Sequence, residues 1–202
     1  MKKVIVVGQP NVGKTLFCLN FAEFLGMQSV TINFESYERG CSSRVITISE
    51  ARPLLVNDHE HQTLDIQSMV LTMPWGKSVK QFELIDTTGL ADRIDFESQI
   101  RKAMAQTLQF MRQADVVFHI LDCFKVAQLG YLKGIGEIDY QIAQFGQLKK
   151  GYIILANKID LPQAQEGLDR ITLEFPGNKV IGISALTKKG FKEVREVARQ
   201  LL

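Results

Sequence analysis

The chain has 202 residues, 46% of them hydrophobic and 23% charged, a globular composition that predicts a single domain over residues 1–202. Its 24 basic and 22 acidic residues give a formal charge of +2, too small to indicate a surface for nucleic acid or an anionic membrane. Three widely spaced cysteines argue against a disulfide framework, and no apolar run reaches the roughly 18 to 20 residues of a membrane span, so we expect a cytoplasmic protein.

A buried strand, a glycine-containing loop and a helix are predicted in succession at the start of the chain. The apolar run Val4–Val7 is typical of a parallel strand, and the segment from Leu16 to Phe24 has helical spacing. Between them, residues 8–15 read Gly-Gln-Pro-Asn-Val-Gly-Lys-Thr. This is the spacing of a phosphate-binding loop, in which backbone N–H groups and Lys14 hold an anion and Thr15 offers a hydroxyl to Mg²⁺. The alternative interpretation is a plain glycine turn.

A long connection follows the first helix, which is predicted to end near Gly26. The chain spends roughly 40 residues before the strand that contains Gln67–Met73, and such length indicates a functional loop or an added substructure. Strand propensity at Ser29–Phe34 and Arg44–Ser49 predicts an extra hairpin, and the residues from Pro53 onward read as a loop. We therefore expect an elaborated region around residues 27–65.

Short apolar runs alternate with helical segments along the rest of the chain. Met69–Met73 and Gln81–Asp86 flank a turn at Pro74–Lys77, which predicts an antiparallel pair at the edge of the sheet. The alternation predicts an α/β fold with a mostly parallel central sheet, one antiparallel edge strand and helices on both faces. The core strands are predicted at Val4–Val7, Phe82–Ile85, Val116–Leu121, Tyr152–Ala156 and Val180–Ile183. Helices are predicted from apolar spacing at Phe96–Met111, Ile138–Leu148, Leu168–Phe175 and Phe191–Leu201.

A second chemical signal, Asp86-Thr87-Thr88-Gly89, lies where one of these strands ends. A carboxylate at the carboxyl end of a strand can reach Mg²⁺ through water, and Gly89 can bring its N–H close to a γ-phosphate. Asp-x-x-Gly is also common in ordinary turns. Its place beyond the phosphate loop favours the functional interpretation.

Two further signals follow the last two strands and point to a guanine base. Asp160, in Asn157-Lys158-Ile159-Asp160, can accept both the ring N–H and the exocyclic amine of guanine, a donor pair that adenine lacks. Asn157 would join this segment to the phosphate loop, and the stem of Lys158 would lie over the base. In Ser184-Ala185-Leu186, the small residue would let a backbone N–H reach guanine O6.

In this order and at these strand ends, the four motifs resemble those of the TRAFAC class of GTP-binding domains, and most closely its Era/TrmE/ferrous-iron-transporter-B branch in bacteria. The resemblance covers the whole chain and implies a Ras-like fold. It implies a nucleotide site made of Gly8, Asn11, Val12, Gly13, Lys14, Thr15, Leu16, Asp86, Gly89, Asn157, Lys158, Asp160, Ser184, Ala185 and Leu186.

The resemblance also implies a threonine from the first switch as a further Mg²⁺ ligand. We assign Thr63, which precedes Asp86 by 86 − 63 = 23 residues, and Thr47 is the rival. Leu90 stands where Ras-like proteins place a water-orienting glutamine. Several members of the branch share an apolar residue there and use a K⁺ ion held partly by the asparagine at the position of Asn11. We therefore expect Lys14, Thr63 and, with K⁺, Asn11 to support catalysis.

These features predict a slow GTPase that acts as a molecular switch with GTP or GDP, Mg²⁺ and K⁺ as cofactors. Its expected partners are the guanine nucleotide, an unidentified protein effector and, in one nucleotide state, a second copy of the chain. The alternative is a GTP-binding module that does not hydrolyse, for which Leu90 is the supporting feature, or one that assembles with ribosome, RNA or a larger complex. The near-neutral charge does not indicate nucleic acid.

Overall fold

The computed structural model describes residues 1–36, 40–55, 66–87 and 107–202. The strands are β1 (Lys2–Val7), β2 (Ser29–Ser36), β3 (Gly40–Thr47), β4 (Ile66–Trp75), β5 (Ser78–Asp86), β6 (Val116–Asp122), β7 (Tyr152–Asn157) and β8 (Lys179–Gly182). The helices are α1 (Lys14–Phe24), α2 (Ile48–Leu55), α3 (107–113), α4 (Cys123–Leu129), α5 (Tyr131–Gly134), α6 (Glu137–Gly146), α7 (Ala164–Glu174) and α8 (Phe191–Leu201).

Within the described residues, eight strands form one sheet in the order β3-β2-β4-β5-β1-β6-β7-β8. The pairings from β5 through β8 are parallel, which confirms the predicted α/β architecture. The predicted β4–β5 antiparallel pair is confirmed, and the expected hairpin at β2–β3 adds two more strands beyond β4. The predicted edge position of the β4–β5 pair is wrong, because β2 covers the outer side of β4.

Two apolar clusters lie on opposite faces of the sheet, as alternation along β1 requires. Val4 and Val6 belong to the cluster that packs under α1, α2 and α8, whereas Ile5 and Val7 belong to the cluster under α3, α4, α6 and α7. Phe17 and Phe191 join α1 to α8 with ring centroids 5.4 Å apart. Burial on both faces explains why β1 reads as a continuous apolar run.

The structure corrects the predicted boundaries in the long connection. The second strand of the hairpin ends at Thr47, and Pro53, predicted to begin a loop, lies inside α2. Thr47 caps α2: its hydroxyl accepts from the Glu50 N–H at 3.3 Å, and its own N–H donates to the Glu50 carboxylate at 3.2 Å. This reciprocal pair is a capping box, a local signal that the strand interpretation missed.

Two other predictions about helices need correction. Leu148 does not extend the buried stripe of α6, because that helix ends at Gly146 and the Leu148 side chain is exposed. The helices α4 and α5, which directly follow β6, were not predicted. The carboxylate of Asp122 begins α4 by accepting from the Lys125 N–H at 3.0 Å. Most of the predicted helix Phe96–Met111 lies outside the described residues.

No helix in the described part of the chain is long and apolar enough to cross a membrane.

Candidate nucleotide site

In the loop between β1 and α1, two backbone carbonyl groups bind the side chain of Lys14. Lys14, which is buried, donates from Nζ to the carbonyls of Gly8 at 3.1 Å and Gln9 at 2.7 Å. Gly13 has φ +96°, and a Cβ there would lie 2.6 Å from Asn157 Nδ2. The loop therefore needs glycine at this position, and the α1 N-terminus that follows it is favourable for a phosphate group.

Thr15 at the start of α1 contacts Asp86 at the end of β5. The Thr15 hydroxyl donates to Asp86 Oδ2 at 2.6 Å, and both side chains are buried. Thr87 supports this strand end, since its hydroxyl donates to the Val6 carbonyl at 2.8 Å. A hydroxyl and a carboxylate are the oxygen ligands that Mg²⁺ prefers, so the pair fits the metal expected from the sequence.

Asn157 joins the phosphate loop to the loop after β8. Its Nδ2 donates to the Val12 carbonyl at 2.7 Å, and its Oδ1 accepts from the Ala185 N–H at 2.8 Å. These partners are 145 and 28 residues away along the chain. The amide of one buried side chain therefore brings the first, third and fourth predicted motifs into contact.

The neighbouring residues of the third motif lie at the surface of the same region. Asp160 is exposed, and Lys158 has φ +68°. Lys158 Nζ lies 2.6 Å from Asp122 Oδ2, at the carboxyl end of β6. Because Asp122 also caps α4, one carboxylate ties the Lys158 side chain to the beginning of that helix.

The loop after β8 is held by a hydrogen bond within the loop and by another from α1. Ser184 is fully buried, and its Oγ accepts from the Thr187 N–H at 3.0 Å. The Ala185 carbonyl accepts from Asn20 Nδ2 of α1 at 2.7 Å. Leu186 is 67% exposed, so it is the part of the motif that an entering base could contact.

A groove of about 410 Å³ opens beside this loop, between α1 and α2. In it, Arg52 of α2 donates from Nε to Asn20 Oδ1 at 2.8 Å, and Glu23 accepts from both Arg52 and Lys188. The bond from Lys188 lowers the pKa of the Glu23 carboxyl most, and the contact with Arg52 lowers it further. The groove is lined by Leu16, Asn20, Glu23, Arg52, Leu186 and Lys188.

Gln9 connects the phosphate loop to a chain of buried polar side chains. Its Nε2 donates to Asp139 Oδ2 at 2.5 Å, and its Oε1 accepts from Lys125 Nζ at 2.7 Å. Asp139 Oδ1 lies 3.0 Å from Nε2 of the fully buried His119, whose Nδ1 lies 2.8 Å from the Tyr152 hydroxyl. His119 is thus a satisfied core histidine that helps to support the phosphate loop.

Several residues assigned from the sequence lie outside the described residues, namely Thr63, Gly89 and Leu90. The rival Thr47 is described, and its hydroxyl is engaged in capping α2 and lies 2.7 Å from Glu50 Oε2. Asn11 is exposed in the phosphate loop and has φ +62°.

The cysteines that the structure describes in full, Cys18 and Cys123, are buried and free. Burial raises the pKa of the Cys18 thiol, and Asp86 raises it further. Burial likewise raises the pKa of Cys123 to about 12. Both thiols are therefore protonated at neutral pH and serve as buried packing residues.

The sequence did not identify Gln9, Asn20, Arg52, Asp122 or Asp139 as parts of the site. Asn20 offered one weak signal, because a polar side chain stands among apolar residues in the first helix. For Arg52 and Asp139 no local pattern distinguishes these charges from a solvated helix face. Their roles depend on contacts across 32 and 130 residues of chain.

The chain is similar to known GTPases in its family model, in sequence and in fold. The model of a family described as "50S ribosome-binding GTPase" matches residues 38–158, more than half of the chain. The chain is 29% identical over 162 residues to the GTPase Obg of Ruminiclostridium cellulolyticum, covering 77% of this chain and 36% of that protein. It spans about a third of the length of that relative.

Solved structures show the same fold at low sequence identity. The structure of Aquifex aeolicus Era bound to GDP and AlF4⁻ superposes with a TM-score of 0.58 at 21% identity, covering 100% of this chain and 57% of Era. The G domain of the T. maritima FeoB iron transporter has a TM-score of 0.54 at 19% identity, covering 100% of this chain and 98% of that domain.

Proposed function

The chain belongs to the 50S ribosome-binding GTPase family, and we propose that it binds GTP, hydrolyses it slowly to GDP and acts as a nucleotide-dependent switch. The observation that carries this proposal is the double contact of Asn157 with Val12 and Ala185. It joins a phosphate-binding loop to a loop that can read guanine. A fold with only a glycine turn at residues 8–15 would have no need of such a connection.

The residues present fit a triphosphate with its divalent ion. Lys14 and the N-terminus of α1 would hold the phosphate oxygens, and Thr15 and Asp86 would hold Mg²⁺. When bound, Mg²⁺ supplies positive charge to the β- and γ-phosphate oxygens. The engagement of Thr47 in capping α2 supports Thr63 as the remaining threonine ligand.

The hydrolytic step is proposed to use K⁺ held partly by Asn11. Leu90 cannot orient a water molecule, and Asn11 is an exposed residue of the phosphate loop whose side chain carries an amide oxygen, a ligand type that a cation accepts. The competing interpretation is a hydrogen bond of Asn11 within its own turn. A non-hydrolysing module is the second candidate function, and Leu90 is the observation that favours it.

The test is phosphate release from GTP and from ATP, measured in KCl and in NaCl at equal ionic strength. We expect turnover of GTP alone, several-fold faster in KCl, and loss of the salt difference in Asn11→Ala. Lys14→Ala should abolish nucleotide binding while the variant still unfolds in one cooperative transition, and Lys192→Ala, an exposed lysine of α8, is its control.

The possible results separate the candidate functions. GTP binding without phosphate release in either salt would favour the non-hydrolysing module. Equal turnover in the two salts would reject the role of K⁺ and leave the GTPase proposal standing. Absence of any binding of GTP or GDP would reject the proposed function.

The effector of the switch is proposed to be a protein that distinguishes the GTP and GDP states. The family description names the ribosome, but the formal charge of +2 gives no independent support for an RNA surface on this chain. The buried thiols of Cys18 and Cys123 agree with the proposed cytoplasmic location. A pull-down with GTP-bound and GDP-bound protein would identify a state-dependent partner.

A further inference from the structure

The helix α2 is joined at two points to the base loop, which is the loop after β8 that is proposed to read guanine. Both connections run through side chains of α1. Arg52 Nε donates to Asn20 Oδ1, and Asn20 Nδ2 donates to the Ala185 carbonyl. The carboxylate of Glu23 accepts from both Arg52 and Lys188. Ile48 and Ala51, on the same helix as Arg52, are buried in the core under α1, so α2 is fixed where it makes these bonds.

The bond from Arg52 determines which way the Asn20 amide faces. An asparagine amide has an acceptor oxygen and a donor nitrogen on opposite sides, and the Ala185 carbonyl can accept only from the nitrogen. Arg52 is a donor alone, so its Nε pairs with Oδ1 and places Nδ2 toward Ala185. The Asn20 side chain is buried, which makes an unpaired amide oxygen costly.

The direction of the Ala185 carbonyl in turn sets the direction of the next N–H group. In a planar trans peptide the C=O and N–H bonds point in opposite directions. With its carbonyl held by α1, the Ala185–Leu186 peptide directs the Leu186 N–H away from α1. The Ala185 N–H already donates to Asn157, so Leu186 is the neighbouring residue whose N–H can meet a base.

We propose that Arg52 is a positioning residue for guanine recognition, which it serves by fixing the Asn20 amide and thereby the Leu186 N–H that donates to the O6 atom of guanine. This inference rests on the proposed function. It adds a role for α2, which lies between α1 and β4 in the chain. It connects the helix just before residues 56–65 to the loop after β8 through side chains of α1.

The test compares the affinities for GDP and 6-thio-GDP, a nucleotide that replaces O6 by a weakly accepting sulfur and keeps the N–H donors read by Asp160. The unmodified chain should prefer GDP. Arg52→Ala and Arg52→Lys should weaken GDP binding by about five- to tenfold, the value of one hydrogen bond, and should change 6-thio-GDP binding much less. The ratio of the two affinities should therefore fall.

Lysine at position 52 keeps the positive charge near Glu23, but its single Nζ lacks the planar fork with which Arg52 reaches Asn20 and Glu23 from separate nitrogens, so it should weaken the Asn20 bond while keeping the ion pair. Glu23→Gln, which keeps the Arg52–Asn20 bond, should retain the preference for GDP. Arg199→Lys is the matched control, because the Arg199 side chain is 36% exposed and that of Arg52 is 34% exposed. Arg199 pairs with Glu196 on α8.

An equal loss of affinity for both nucleotides in the Arg52 variants would show a merely structural role and overturn the inference. Unchanged affinities, or no preference for GDP in the unmodified chain, would overturn it as well. If the unmodified chain binds GDP while the Arg52 variants behave normally, the proposed function stands and this inference alone fails. If the unmodified chain binds no GDP, both fail.

Discussion

Asn157 is the residue on which the site depends most directly, because one side chain satisfies groups on two separate loops. Its donor and acceptor are both used, on Val12 and on Ala185. Gly13 lies directly against the Asn157 side chain, and any side chain at position 13 would reach the Asn157 amide nitrogen. We therefore expect the pairing of this glycine and this asparagine to couple phosphate binding to base binding.

Replacement of Gly13 tests this close approach. Gly13→Ala should cost about 1 kcal/mol of folding free energy for its positive φ and should also lower GDP affinity by at least about tenfold, because the new methyl group displaces Asn157. Gly26→Ala is the matched control: Gly26 has φ +95° and no atom within 4 Å of the added Cβ. Urea unfolding and GDP titration separate the two effects, and equal GDP affinities in both variants would contradict the prediction.

Base identity is assigned to a single exposed carboxylate, Asp160. Asp160→Asn should weaken GDP binding by about 10- to 100-fold and improve binding of xanthosine diphosphate, whose 2-oxo group accepts from the new amide. Asp169→Asn, an exposed carboxylate on α7, is the control and should bind both nucleotides normally. Competition between the two diphosphates measures the change, and an unaltered preference for GDP would reject the assignment.

Among the elements, α6 supports the phosphate loop, although the two segments lie far apart in the sequence. Its Asp139 accepts from Gln9 and faces the buried His119. An Nε2–H tautomer of His119 donates to Asp139 and accepts from the Tyr152 hydroxyl. Burial raises the pKa of that phenol, and Asp139 adds to the rise, so Tyr152 stays protonated as a donor. Through these three side chains, α6, β6 and β7 support the phosphate loop.

Two variants separate loop support from core stability. Gln9→Ala removes the connection to the loop and leaves the Asp139–His119–Tyr152 contacts in place, so it should speed GDP dissociation with little change in unfolding free energy. Asp139→Asn leaves either Gln9 or His119 without an acceptor and should also cost about 1 to 3 kcal/mol of stability. Stopped-flow nucleotide release and urea unfolding provide the two readouts. Wild-type rates of GDP release in both variants would show that these polar side chains do not support the phosphate loop.

The helix α2 illustrates the limit of local patterns at the scale of elements. The capping box formed by Thr47 and Glu50 could have predicted where α2 begins, but strand propensity through Ser49 and the proline at Pro53 favoured a strand and then a loop. The burial of Ile48 and Ala51 against α1 outweighs both preferences. Tertiary packing, more than local propensity, therefore decides this short element.

For the molecule as a whole, the sequence alone determined the α/β architecture, the phosphate loop and the order of the nucleotide motifs. These features depend on spacing within short segments, and parallel strands bring their carboxyl ends to one edge of a sheet without further information. The two apolar faces of β1 similarly follow from its continuous hydrophobic run.

Only the tertiary structure decided which side chains support the motifs. The contacts of Gln9 with Asp139 and of Arg52 with Asn20 join helices whose relative positions depend on how all the layers pack around the sheet. The same holds for the two strands that the β2–β3 hairpin adds beyond β4. A charge on a helix surface has the same local pattern whether it faces solvent or a neighbouring loop, and the folded chain alone distinguishes these surroundings.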